Sequence, residues 1–305
     1  MRKMRLPILI ALGVFVIGLI FGSIFDLQIS QALGNPNNGF ALTVAAIGPT
    51  IGFLGLAVIG GGFLGLGLQK ERPTFQKVIF IIICVAAYLG SIYYAGVEYF
   101  GENGFNKPNL IWVGYLIAAL VLAGGVFLGY RIFKEVRTPY AWLILTIGAL
   151  VVGLSLLSGV LVLKGIFHRP RFRAVTSYES IEFHQWWQRC KNYKDLMELN
   201  GITSEEFKSF PSGHTGEAAI LMIAATFIPV ASEKVRKYQV PCFYGAFAFT
   251  LFVAFSRILA AAHFLSDVSM AGILACLLSL IANEVIIRMK WTKGYDALEN
   301  EAQPE

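Results

Sequence analysis

Eight apolar runs constrain this chain more than anything else in it, at roughly 6–25, 47–68, 77–98, 109–130, 139–163, 214–231, 240–257 and 267–287. Each approaches the about 20 residues that a helix needs to cross the hydrocarbon of a bilayer. In lipid, only a helix satisfies every backbone N–H and C=O within one such run. The expected fold is therefore an all-α, polytopic membrane helix bundle of eight transmembrane helices. Composition agrees, with 56% of the 305 residues hydrophobic and 14% charged, against roughly 25% charged in a soluble domain. Residues 1–290 read as a single integral membrane domain, and 291–305, polar and mostly acidic, as a cytoplasmic tail.

The basic N-terminus, Met1 to Arg5, leads into a run that is long and has no clear small-x-small cleavage site. A retained first helix is expected rather than a signal peptide. The four cysteines, Cys84, Cys190, Cys242 and Cys276, are dispersed and form no CxxC pair. That pattern argues against a disulfide framework, redox chemistry and a cysteine-ligated metal.

The net charge of +6 matters less than its distribution. Basic residues fall in threes between alternate spans: Arg2, Lys3, Arg5; Lys70, Arg72, Lys77; Arg131, Lys134, Arg137; Lys234, Arg236, Lys237; and Arg288, Lys290, Lys293. By the positive-inside rule these fifteen face the cytoplasm, together with both termini. They read as topology signals, so no nucleic-acid partner is expected. The connection 164–213 breaks the pattern: it faces outward yet holds eight of the other ten basic residues. An anionic ligand is the obvious reason for positive charge on that side.

The glycine-rich "IGGGFLGLG" (59–67) lacks the spacing of a nucleotide fingerprint and lies inside a span, so it reads as close helix packing through small residues. In the outer connection, 178–199 mixes apolar and charged residues as a surface-lying helix would, with Trp186 and Trp187 suited to the headgroup zone. Thr203-Ser204-Glu205-Glu206 has the form of a capping box opening a short helical turn. In "FPSGHTGEAAILMIAATF" (210–227), Pro, Ser and Gly at a helix start would aim N–H groups and a positive dipole end at a phosphate.

Three stretches then stand at the outer mouths of spans: "KGIFHRPRF" (164–172), "PSGH" (211–214) and "SRILAAAHFLSD" (256–267). His263 and Asp267 are at i and i+4, on one helix face. An aspartate there can accept the ring proton and leave the other nitrogen free to attack. His214 supplies a second imidazole able to protonate a leaving oxygen. Lys164, Arg171 and Arg257, with Ser212 and the Gly213 N–H, supply donors for the oxygens of a transferring phosphoryl group. Arg169 and Arg173 read equally well as further phosphate contacts or as solvated loop charges. His168 and His184 read as interfacial side chains, and Glu217 as a hydrogen-bonding group near the mouth.

These stretches resemble the three signature motifs of the type 2 phosphatidic acid phosphatase superfamily, K-x6-R-P, P-S-G-H and S-R-x5-H-x3-D. The second and third are complete here, whereas Phe172 stands where the first has proline. The resemblance covers about residues 140–290. It implies a six-helix core, leaving two extra helices, the hairpin 77–130, unexplained. It further implies His263 as nucleophile through a phosphohistidine, Asp267 as its partner and His214 as general acid. Lys164, Arg171, Ser212, Gly213 and Arg257 become phosphate ligands, with no metal and no cofactor. The motif residues offer cations and imidazoles but no carboxylate cluster suited to Mg²⁺ or Mn²⁺.

The expected activity is hydrolysis of a lipid phosphate or diphosphate at the outer face of the cell membrane. A lipid phosphotransferase would use the same residues, because water and a lipid hydroxyl differ only as acceptors. An ion-coupled transporter would want ionisable residues near the midplane, and the acidic residues here sit at span ends.

Overall fold

The computed structural model describes residues 1–137 and 140–289, the side chains of 160 and 161 excepted. The tail expected at 291–305, and Lys290 and Lys293 of the last basic triplet, lie outside the described residues. Among the described residues there is no strand, and eight helices are long and apolar enough to cross a membrane. They are α1 (Arg5–Leu33), α2 (Gly39–Gly67), α3 (Thr74–Phe100), α4 (Ile111–Phe133), α5 (Ala141–Leu156), α9 (Gly213–Ala231), α10 (Gln239–Leu259) and α11 (Leu265–Arg288), with short α6 (Lys164–Phe167), α7 (Phe172–Ser177) and α8 (Tyr193–Asn200) in the outer connection. A π-helical stretch, Leu157–Leu163, continues α5 into α6, so one unbroken helical path delivers Lys164 to the outer end. His168, with φ 45°, ends that path.

Helix α2 is the central post, packed on α3, α4 and α9, while α1 lies along α11 and α9 contacts α5, α10 and α11. The glycine-rich run does what its composition suggests. A Cβ on Gly61 would stand 2.0 Å from the Val126 carbonyl, and one on Gly129 would stand 2.1 Å from that of Val58. The α2 and α4 backbones touch at a separation that only glycine permits. One end of the bundle carries ion pairs between the basic segments: Arg137 with Glu71 at 2.9 Å, Lys234 with Glu135 at 2.6 Å, and Arg5 with Glu284.

The opposite end is covered by residues 164–213, which have a small core of their own: Ala174, Ile181, Cys190, Leu196 and Phe207 are buried together. The structure differs from expectation here. Only Tyr193–Asn200 of the anticipated surface helix is helical, ended by Gly201 at φ 62°, and 178–192 runs as turns and irregular chain. The mixed polarity of that stretch reflects a folded loop that buries its own apolar side chains. The helical turn after Thr203 forms as a 3₁₀ turn, Ser204–Phe207, but without a side-chain cap, since Thr203 Oγ1 reaches Glu102 of the α3–α4 connection at 3.3 Å. Trp187 is half exposed, whereas Trp186 stacks on Phe210 and donates to Ser23 Oγ at 2.9 Å. Cys190 lies outside the spans as expected, yet it is buried, and burial pushes its thiol pKa up.

Candidate active site

Main-chain hydrogen bonds sew the three motif stretches into one object. Arg171 N donates to Glu206 O at 2.8 Å, Ser209 N to Arg169 O at 3.0 Å, Arg173 N to Ala261 O at 2.9 Å, and Ser212 N to Asp267 O at 3.1 Å. Backbone groups far apart in sequence thus satisfy one another in a place that excludes water. Ser212 is the N-cap of α9, accepting from Thr215 N at 3.4 Å and Thr215 Oγ1 at 3.0 Å. The helix therefore opens at Gly213 and His214, with the positive end of its dipole toward the site. Phe172 occupies the first position of α7, where proline is also well tolerated. Its ring packs edge-on to Phe264, so the departure from the motif leaves the helix start intact.

Asp267 is held by donors from three different segments. It accepts from Ser209 Oγ at 2.5 Å, Phe264 N at 2.8 Å and Arg169 Nη1 at 2.6 Å. Arg169 is fully buried; it also donates to Ser266 Oγ at 2.8 Å, Asp26 Oδ2 at 2.9 Å and the His184 carbonyl at 2.8 Å, with its guanidinium 4.2 Å from the Phe264 ring centroid. Neither sequence reading of Arg169 survives: it is not a solvated charge, and its donors are spent on two carboxylates. Arg173 is paired with Glu206 at 2.6 Å.

The His263–Asp267 contact also differs from expectation. His263 lies just before α11, not on it. Its Nδ1 is 3.7 Å from Asp267 Oδ2, an ion-pair separation, but 2.6 Å from the Ser209 carbonyl. A carbonyl only accepts, so the ring proton sits on Nδ1 and Nε2 keeps its lone pair. Burial holds the His263 pKa well below the usual imidazole range; the charges of Arg171 and Arg257 add to this, while Asp267 opposes it. A neutral ring with a free Nε2 follows at neutral pH.

His263 lines a cavity of about 380 Å³ together with Lys164, His168, Arg171, Lys208, Gly213 and His214. A Cβ on Gly213 would stand 3.4 Å from Lys164 Nζ, which fixes that ammonium over the start of α9. Arg171 is held from three sides, by the Glu205 carbonyl at 2.8 Å, Asn103 Oδ1 at 2.7 Å and Glu205 Oε2 at 3.4 Å. Burial would raise the Glu205 pKa, but the Lys208 hydrogen bond and the Arg171 charge bring it below the usual carboxylate range. Arg257 is 1% exposed, and its Nε and Nη1 make no hydrogen bond among the described residues. Buried guanidinium donors left unspent suit an anion.

Of the residues singled out in the motifs, Lys164, Arg171, Gly213, His214 and His263 stand on the cavity wall. Ser212, Arg257 and Asp267 are buried outside that lining. The family model of the PAP2 superfamily matches residues 139–291, half of the chain, and spans all three stretches. The chain belongs to the PAP2 superfamily. No curated protein and no solved structure matches it. Members of the PAP2 superfamily are phosphatases, so membership supports a phosphoric monoester hydrolase embedded in a membrane.

Sequence reasoning missed Asp26, Glu98 and Asn103, which reach the site or its support from α1 and from the α3–α4 hairpin. It also expected no carboxylate cluster, whereas Glu98, Glu205 and Glu217 all line the cavity. They do not converge: among the described residues, no three His, Cys, Asp or Glu side chains are placed to hold one metal ion. His168 lines the cavity with its ring stacked 3.8 Å from Tyr193, while His184 Nδ1 bonds the Glu182 carbonyl at 3.0 Å. A lone carboxylate at the end of an apolar run was the only signal for Asp26 or Glu98.

Proposed function

We propose that this PAP2 protein hydrolyses a lipid phosphate or diphosphate through a phosphohistidine on His263. The observation that carries the reading is the Nδ1 bond to the Ser209 carbonyl, which leaves a lone pair on Nε2 of a ring that lines a cavity with Lys164, Arg171 and Lys208. Nε2 attacks phosphorus and the bond from phosphorus to the lipid oxygen breaks. That oxygen takes a proton from His214, and the phosphoryl group rests on His263. Water then gives a proton to His214 and attacks phosphorus, the P–N bond breaks, and phosphate leaves. Asp267, 3.7 Å from Nδ1, offsets the charge the ring gains on phosphorylation. Lys164, Arg171, Arg257, the Gly213 N–H and the Ser212 hydroxyl hold the phosphoryl oxygens, the electrostatic stabilisation on which such transfers depend.

The bundle supports a bilayer-borne substrate, and the basic triplets at the end opposite the motifs support a site open to the outer leaflet. Phosphate release from a panel of lipid phosphates tests the activity, with turnover expected to survive chelation of divalent metals. Labelled substrate should leave acid-labile, base-stable phosphate on the wild type and none on His263→Ala. His214→Ala should slow turnover by about 10²–10⁴. Substantial turnover by His263→Ala would overturn the mechanism.

A further inference from the structure

We infer that Glu98, from the α3–α4 hairpin, is the positioning residue that favours the protonated form of His214, the proton donor to the leaving lipid oxygen. The inference rests on the phosphohistidine reading above and deepens it. Glu98 lies outside residues 139–291, so nothing in the family match assigns it a part.

Its placement is costly without such a role. Glu98 is in the last turn of α3, where the helix dipole disfavours negative charge. Its side chain is only 18% exposed. The offsetting charges are those of the site: His214, Arg257 and Arg171 all act on it.

The geometry favours a supporting role over simple pairing. Glu98 Oε2 is 3.3 Å from His214 Nε2, within ion-pair range, yet Nε2 makes no hydrogen bond among the described residues. The carboxylate stabilises a cationic imidazole while the N–H stays available to another oxygen. The ring is also buried, and the guanidinium charges of Arg257 and Arg171 bear on it. Glu217, one turn further along α9, and Lys164 complete the set of ionisable groups at this wall. A carboxylate 3.3 Å from the tip of the ring favours its donor form against those charges. The hairpin thereby completes acid catalysis for a site whose motif residues all lie elsewhere.

A lipid alkoxide must be protonated as it leaves, and 4-nitrophenolate need not be. Wild-type chain, Glu98→Gln and Glu98→Asp are therefore compared on a diacylglycerol phosphate and on 4-nitrophenyl phosphate, in the same detergent. Glu98→Gln should lower kcat on the lipid by about ten-fold or more beyond any loss on the aryl ester. KM for the lipid should stay within about three-fold, and Glu98→Asp should recover part of the turnover. Equal losses on both substrates would make Glu98 merely structural, and undiminished lipid turnover would remove it from the reaction; either result overturns the inference. Should Glu98→Gln fail to fold, Glu98→Asp and Glu98→Ala carry the same two-substrate comparison. Failure of the underlying mechanism looks different: the wild type then forms no phosphate label on His263.

Discussion

Asp267 depends on Arg169 as much as on its own motif. Two buried carboxylates, Asp26 and Asp267, share that one guanidinium, at 2.9 and 2.6 Å. Removing one partner of such a set leaves buried charge uncompensated, at about 3–5 kcal/mol. Arg169→Ala should therefore lower thermal stability in detergent severely. Arg169→Lys keeps the charge but cannot reach Asp267, Asp26, Ser266 and the His184 carbonyl together, so it should fold and lose about ten-fold or more in turnover. Wild-type turnover by Arg169→Lys would show that the fork is dispensable. The histidines, Lys164, Arg171 and Arg257 were legible because their spacing repeats a known pattern. Arg169 was not, since a basic residue in a loop looks the same in sequence whether solvated or buried between two acids. Asp26 and Ser266 are 240 residues apart, and no periodicity links them.

Among the elements, the eight spans were readable because length and hydropathy alone specify them. The observed helices extend those runs by a few residues, Arg5–Leu33 against 6–25 and Thr74–Phe100 against 77–98. The extension of α1 carries Asp26, and Glu98 is the last residue of its run, so the elements were found and the roles of their end residues were not. The outer connection was harder, because its apolar residues fold on one another instead of following one helical face. The α3–α4 hairpin reaches the site only because α2 holds it close. Gly61→Leu should force α2 and α4 apart, since its Cβ already meets the Val126 carbonyl at 2.0 Å. The expected result is a large loss of thermal stability, and turnover falling with it as Asn103 and Glu98 lose their register. Gly13→Leu, where nothing lies within 4 Å of an added Cβ, is the control and should change little. Similar stability for both variants would mean that the close crossing is not needed.

For the whole molecule, sidedness decides which lipids the cavity can meet, and Cys190 cannot report it because it is buried. Leu199, in α8 of the outer connection, is 72% exposed and can. In a background lacking Cys190 and Cys242, a membrane-impermeant maleimide should label Leu199→Cys in intact cells, or after permeabilisation of an outer membrane if there is one. Labelling only after lysis would put the site on the cytoplasmic face. The contact between α1 and α11 has a consequence for biosynthesis. Asp26 enters the membrane with the first helix, while Ser266 and Asp267 are made some 240 residues later. Until α11 inserts, the nascent chain lacks the support of His263, the proposed nucleophile, and the first helix carries a carboxylate without its full set of partners. A chain stalled or cut before its last helix is then catalytically silent, and completing translation itself switches the enzyme on.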